Sequence, residues 1–251
     1  MKELYLNTLR DTLTGHVYQD RKVACYRFNK LLRLFGWQIS RETSDHERHN
    51  GKIWPQTALT MVGTKRLDNI RDLINLCDAE NINGDFVECG VWRGGASIFA
   101  AGVCKMNQNG RHIFACDSFE GLPKPKDITD KIDPLHLFKF KDVLAVSQEQ
   151  VWQNFCRFGL EQNVQLFKGW FSDTLKRLPT KSIAILRADG DMFESTMDIL
   201  GLYDRVTPGG FVIIDDYNSI NACKQAVDNF ISGKGIKLVP IDEDAVYWRK
   251  K

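Results

Sequence analysis

Two hydrophobic periods divide this chain. Before residue 83 the apolar positions recur at helical spacing: Leu67, Ile70, Leu73, Ile74 and Cys77 mark one face of a helix over 66–79. Tyr26, Leu31, Leu32, Leu34, Phe35 and Trp37 supply the apolar side of a basic segment, and the polar stretch 41–52 reads as a loop. After residue 83, short apolar runs alternate with longer amphipathic ones. The runs at 85–89, 112–116, 164–168, 182–187 and 211–215 read as strands, with helical segments between most of them. Such repetition predicts a parallel sheet covered on both faces. The end differs: 236–241 and 245–249, separated by Asp242, Glu243 and Asp244, predict a hairpin and an antiparallel final strand. The expected organisation is a helical N-terminal extension or cap over 1–80 and an α/β domain over 81–251.

Charge excludes some functions. The balance is 34 basic against 32 acidic residues, net +2, too even for a dominant nucleic-acid or anionic-membrane surface. The longest uncharged stretch, 53–64, contains Pro55, Gln56 and Gly63 and is no membrane span. Lys2, Glu3, Arg10 and Asp11 break up the start, which argues against a secretory signal. The seven cysteines include no CxxC pair, and Cys89 and Cys116 sit in apolar runs. A reduced, cytoplasmic protein without disulfides or zinc is expected.

Four segments carry candidate chemistry. The first strand ends in Glu88 and runs into Gly90, Gly94 and Gly95 before a helix. Glycines let a ligand approach the backbone, and the first strand-to-helix turn of a doubly wound sheet lies at the ligand-binding switch point. The turn lacks the G-x-G-x-x-G of dinucleotide sites, and a carboxylate at 88 suits a cationic amine better than a pyrophosphate; a generic tight turn is the alternative. Asp117 closes the second strand, where an acid accepts hydrogen bonds from ribose hydroxyls. Asp189, Asp215 and Asp216 close two strands that are expected to be neighbours. Gathered at one rim they suit Mg²⁺ or Ca²⁺, whereas taken singly they are also helix caps. A rim position for Asp215 implies that its replacement by Asn spares the fold. Trp170 and Phe171 either flank an adenine ring or pack in the core. His46 and His49 read as loop histidines and His112 as structural. His136 lies in a lysine- and aspartate-rich segment that suggests a lid over the switch point, and is either a general base or a surface histidine.

Taken together, these blocks resemble the macrocin O-methyltransferase family, sugar O-methyltransferases of the class I S-adenosylmethionine-dependent superfamily. The resemblance covers 54–249. It rests on Trp54-Pro55 with Thr60-Met61, on Val87-Glu-Cys-Gly-Val-Trp-Arg-Gly94, on Ala115-Cys-Asp-Ser-Phe-Glu-Gly-Leu-Pro123 and on Val143-Leu-Ala-Val-Ser147. Gly169-Trp-Phe171, Leu186-Arg-Ala-Asp-Gly-Asp191, Ile213-Ile-Asp-Asp-Tyr217 and Val246-Tyr-Trp-Arg249 extend it. It implies a Rossmann-like α/β fold, mostly parallel with an antiparallel C-terminal hairpin. It implies cofactor contacts from Thr60, Met61, Glu88, Gly90, Val91, Trp92, Gly94, Asp117, Ser118, Phe119, Gly121, Phe171, Ser172 and Asp191. It further implies Mg²⁺ on Asp189, Asp215 and Asp216, His136 as the base, a sugar-containing small-molecule acceptor from a natural product or glycan precursor, and a homo-oligomer. A catechol-like or other vicinal diol is the alternative acceptor, and a non-catalytic binding protein of the same fold the alternative class.

Overall fold

The computed structural model describes residues 1–18, 22–24, 37, 39–124 and 140–251. In chain order the elements are α1 (Lys2–Leu13), β1 (Lys22–Ala24), β2 (Ser40–Glu42), α2 (Asp45–His49), α3 (Thr64–Ala79), β3 (Asp85–Cys89), α4 (Gly95–Asn107) and β4 (Ile113–Asp117). There follow α5 (Lys141–Leu144), α6 (Gln148–Phe158), β5 (Val164–Lys168), α7 (Phe171–Thr174), β6 (Ile183–Ala188), α8 (Phe193–Leu200), β7 (Val206–Ile214), α9 (Asn221–Ile231), β8 (Val239–Pro240) and β9 (Val246–Arg249).

The main sheet has seven strands in the order β5-β4-β3-β6-β7-β9-β8. β3 to β7 are mutually parallel, and β9 runs antiparallel to both β7 and β8. The predicted antiparallel hairpin is therefore present, but its second strand lies inside the sheet and short β8 forms the edge. The chain leaves β3 towards β4 and β5, then crosses to β6 on the other side. The crevice where the direction reverses lies between β3 and β6, the place where ligands bind such sheets.

Alternation along the strands separates two apolar layers. Phe86, Ile113, Ala115, Phe211 and Ile213 face α1, α3, α4 and α6. Val87, Cys89, Phe114, Cys116, Leu186, Val212 and Ile214 face α8 and α9. β7 begins well before the expected residue 211, running through Pro208, Gly209 and Gly210. Glycine and proline read as a turn in sequence; here Gly209 N–H and Gly210 C=O pair with Lys250 as an extension of β9.

The first 80 residues are less uniformly helical than their periodicity suggests. β2 pairs antiparallel with β1, and α2 forms inside the segment expected to be a loop. The local cause is a capping box: Ser44 Oγ accepts from Glu47 N–H, and the Glu47 carboxylate accepts from Ser44 N–H at 2.9 Å. The apolar run from Tyr26 to Phe35 lies outside the described residues, and Trp37 is exposed. Among the described residues no helix is long and apolar enough to cross a membrane.

α1 buries Leu6, Leu9 and Leu13, and Leu9 reaches Gly102 of α4, where a side chain would collide with it. This contact fixes the start of the chain to α4 on one face of the sheet. Leu9→Ala is expected to lower unfolding free energy by about 2–5 kcal/mol in a denaturant titration.

Candidate active site

The carboxyl ends of β3, β4, β6 and β7 open into one cavity of about 830 Å³, within the range of small-molecule sites. Strand register places the chemistry. Glu88 lies opposite Arg187, and Cys89 beside both Cys116 and Ala188, so the residues that follow each strand converge on one level.

Gly90 has φ +93°, and a methyl group on its Cα would overlap the Asp189 carbonyl oxygen. Only glycine lets the end of β3 pass this close to the end of β6. Trp92 also takes a left-handed backbone, at φ +46°. The turn is held by Asp117, whose Oδ2 accepts from Val91 N–H at 2.7 Å and Trp92 N–H at 3.3 Å, while Oδ1 accepts from Phe119 N–H at 2.7 Å. Burial pushes the Asp117 carboxyl upward against those bonds.

Glu88 is surrounded differently from an open amine-binding carboxylate. It is 1% exposed. Oε2 accepts from Ser97 Oγ, and Oε1 pairs with Arg187 Nη1 at 2.6 Å. Arg187, also 1% exposed, extends Nη2 to Asp215 Oδ1 at 2.6 Å and Asp189 Oδ2 at 3.0 Å. Asp215 Oδ2 in turn takes Arg66 Nη1 at 2.6 Å. The fold therefore sets two buried guanidinium groups among the acids.

One ligand oxygen from each of Asp189, Asp215 and Asp216 lies within 4.8 Å of the others. Three hard oxygen donors at this spacing fit a divalent cation of the Mg²⁺ or Ca²⁺ kind. Asp215 corrects the expectation of a rim residue: it is 4% exposed and bridges Arg66 and Arg187. Although burial pushes its carboxyl up, Arg187 and Arg66 hold it below the usual range. Asp189 is pushed well above that range by burial and by Asp215, and Asp216 to about 7 by burial and by Asp191. Asp191, at φ +56°, also lines the cavity and is pushed well up by burial and Asp189; its side chain has no hydrogen-bond partner among the described residues.

Acids with raised pKa values bind more protons in the fold than in the unfolded chain. Their stabilisation is complete below the ordinary carboxylate range and is lost as pH rises through about 7 for Asp216. His16, pushed down by burial and Arg48, acts in the opposite sense. With chelator present, the fall in Tm between pH 5.5 and 8, conditions chosen to span roughly that titration, should be flattened by Asp216→Asn.

Most of the expected cofactor residues converge. Thr60, Met61, Glu88, Gly90, Val91, Trp92, Asp117, Ser118, Gly121, Phe171, Ser172 and Asp191 line the cavity. Gly94 and Phe119 do not: Gly94 faces Val151 of α6, and the Phe119 ring packs into the core. Trp170, 40% exposed, lines the cavity, whereas Phe171 does so while also packing on the core. His136 lies outside the described residues. Composition and spacing did not single out Lys52, Trp54, Arg66 or Arg187, all of which line the cavity. A signal existed for two of them. Arg187 is a charge within the apolar strand Ile183–Ala188, and Arg66 places a cation in the first turn of a helix, where the macrodipole disfavours it.

Comparison with known proteins places the chain in a family. The macrocin O-methyltransferase family model matches residues 2–250. The chain belongs to the macrocin O-methyltransferase family. The match reaches further towards the N-terminus than the blocks visible between 54 and 249. The chain is 40% identical over 254 residues to 8-demethyl-8-(2,3-dimethoxy-α-L-rhamnosyl)-tetracenomycin-C 4′-O-methyltransferase of Streptomyces olivaceus, covering 99% of this chain and 93% of that protein. It is 38% identical over 256 residues to mycinamicin III 3″-O-methyltransferase of Micromonospora griseorubida, covering 99% and 96%. The solved structure of the O-methyltransferase NovP superposes with a TM-score of 0.90 at 36% identity, covering all of both chains. This macrocin-family chain is thus an S-adenosylmethionine-dependent O-methyltransferase with the class I fold, and the non-catalytic reading falls away.

Proposed function

We propose that the cavity between β3 and β6 is the methyl-transfer site. We further propose that it acts, with Mg²⁺, on a sugar hydroxyl with a neighbouring hydroxyl in a natural product or glycan precursor. The carrying observation is the spacing of Asp189, Asp215 and Asp216 in the same cavity as the Gly90 turn. The names of the relatives support the acceptor class, since one methylates a rhamnosyl-bearing tetracenomycin and another a mycinamicin. When bound, S-adenosylmethionine supplies an electrophilic methyl group, and Mg²⁺ supplies a charge that orients two adjacent hydroxyls and lowers the pKa of one.

The chain's own residues divide the remaining work. Asp117 shapes the Gly90 turn and would bind the ribose of the cofactor. Glu88 and Arg187 would supply the charged side of the pocket for its methionine end. Trp170, Phe171 and Met61 offer apolar surface for its adenine. Asp189, Asp215 and Asp216 hold the metal. Trp54, packed edge-on against Phe140 at 4.9 Å between ring centroids, forms part of the acceptor wall with Lys52. Two groups are proposed as proton acceptors: His136, from the sequence, and Asp191, from its unpartnered carboxylate in the cavity. A general base contributes about 10²- to 10⁴-fold to rate. His136→Ala and Asp191→Asn are compared for kcat and for S-adenosylmethionine affinity. The base loses rate on that scale at unchanged cofactor affinity, and the other residue does not.

The acceptor class is tested by offering glycosides with a free vicinal diol, and separately a simple catechol, and scoring transfer by mass spectrometry. Methylation of the glycosides supports the reading. Transfer confined to the catechol moves it to aromatic diols.

A further inference from the structure

Arg66 lies in the first turn of α3, is 5% exposed and reaches three carboxylates. Nη1 donates to Asp215 Oδ2 at 2.6 Å, Nε to Asp242 Oδ2 at 2.7 Å and Nη2 to Asp244 Oδ2 at 3.3 Å. Asp242 and Asp244 belong to the turn between β8 and β9, far from Arg66 in sequence. That turn is itself fixed. Asp242 Oδ1 accepts from the N–H groups of Asp244 at 2.9 Å and Ala245 at 2.8 Å. Asp244 Oδ2 takes Lys52 Nζ at 2.5 Å, and the Asp244 carbonyl accepts from Asn218 N–H at 2.9 Å.

A cation in a helix's first turn opposes the macrodipole, and burying it carries a desolvation penalty. A buried guanidinium needs several acceptors for its five N–H donors; here two acids of the C-terminal turn aim the planar fork at one oxygen of a third acid, Asp215. The other Asp215 oxygen is held by Arg187 at 2.6 Å. Both ends of that carboxylate are fixed, which sets its plane relative to Asp189 and Asp216.

We propose that Arg66 is a positioning residue for Asp215, and that the Asp242–Asp244 turn aims it. The C-terminal hairpin is thereby part of the framework of the acid cluster. This inference rests on the reading of Asp189, Asp215 and Asp216 as a divalent-cation site. Lysine would be a poor replacement, because a point charge lacks the fixed fork of donors that meets these three carboxylates.

Mn²⁺ binding to the full chain, followed by the electron paramagnetic resonance signal of free Mn²⁺ without cofactor or acceptor, tests the proposal. Outer partners of metal ligands contribute about 10- to 100-fold to metal affinity. Arg66→Met should weaken Mn²⁺ binding on that scale, and Arg66→Lys by less, with S-adenosylmethionine affinity unchanged in both. Removal of a nearby positive charge would by itself tighten binding of a dication. Tighter or unchanged Mn²⁺ binding in folded Arg66→Met therefore overturns the proposal. If Arg66→Met does not fold, Asp242→Asn keeps the arginine and removes one of its guides. A weaker Mn²⁺ affinity there supports the proposal, and an unchanged one overturns it. A wild-type chain that binds no Mn²⁺ overturns the cation-site reading, and this inference with it. Wild-type binding with unaltered variants overturns only the role of Arg66.

Discussion

Asp215→Asn is expected to abolish methyl transfer and to lower stability by about 3–5 kcal/mol, the typical effect of breaking a buried charge pair. The stability loss follows from position. Asp215 answers two buried guanidinium groups, Arg66 at 2.6 Å and Arg187 at 2.6 Å. An amide offers one oxygen to two donors and turns an N–H₂ group towards the other. The activity loss follows from the cluster, because Asp215 supplies one of its three oxygens. Differential scanning calorimetry alongside a methyl-transfer assay separates the two effects. Asp216→Asn is the companion variant: Asp216 accepts from Ser219 Oγ at 2.9 Å and makes no arginine pair among the described residues. It should lose transfer while keeping most of its stability. Equal stability of the Asp215 variant and wild type would show that the arginines find other partners.

Gly90→Ala is expected to remove detectable S-adenosylmethionine binding. The position has φ +93°, and alanine there adds about 1–2 kcal/mol of left-handed strain. The larger effect is steric: the new methyl group overlaps the Asp189 carbonyl oxygen. The ends of β3 and β6 must then separate. A displacement of about 1 Å at a reacting centre lowers rate roughly 10²-fold. Because the turn carries the Val91 and Trp92 N–H groups held by Asp117, the shift spreads to Asp117 at the end of β4. Isothermal titration calorimetry reads the result directly. Binding at wild-type strength would place the cofactor away from this turn.

The sheet was legible because each parallel strand contains a short apolar run, and four of the five end in, or run straight into, a charged residue: Asp117, Lys168, Asp189 and Asp215. Strand ends differ by one residue at β4 and β6, as apolar content does not mark where pairing stops. The acids were legible in the same way: Asp189 and Asp215 directly follow apolar strands, and Asp216 comes next. Their environment was not. Whether Glu88 faces a ligand or an arginine depends on the register that sets it opposite Arg187, and register is a property of pairing rather than of composition. Arg66 meets Asp242 and Asp244 only because β9 inserts between β7 and β8. The Ser44–Glu47 capping box starts a helix in a segment whose polar composition reads as a loop, since an exposed helix of one turn leaves no apolar period. Phe119 is the opposite case: it lies in a block of the family resemblance, yet its ring turns into the core.

The central claim is that the carboxylates at the ends of β6 and β7 hold a divalent cation needed for methyl transfer. Its most direct test is transfer of a labelled methyl group from S-adenosylmethionine to a methylatable glycoside, by wild type and by Asp216→Asn. Each is assayed in chelator and again after excess Mg²⁺. The account predicts background transfer by wild type in chelator, recovery with Mg²⁺, and no recovery in the variant. Full transfer in chelator would contradict it.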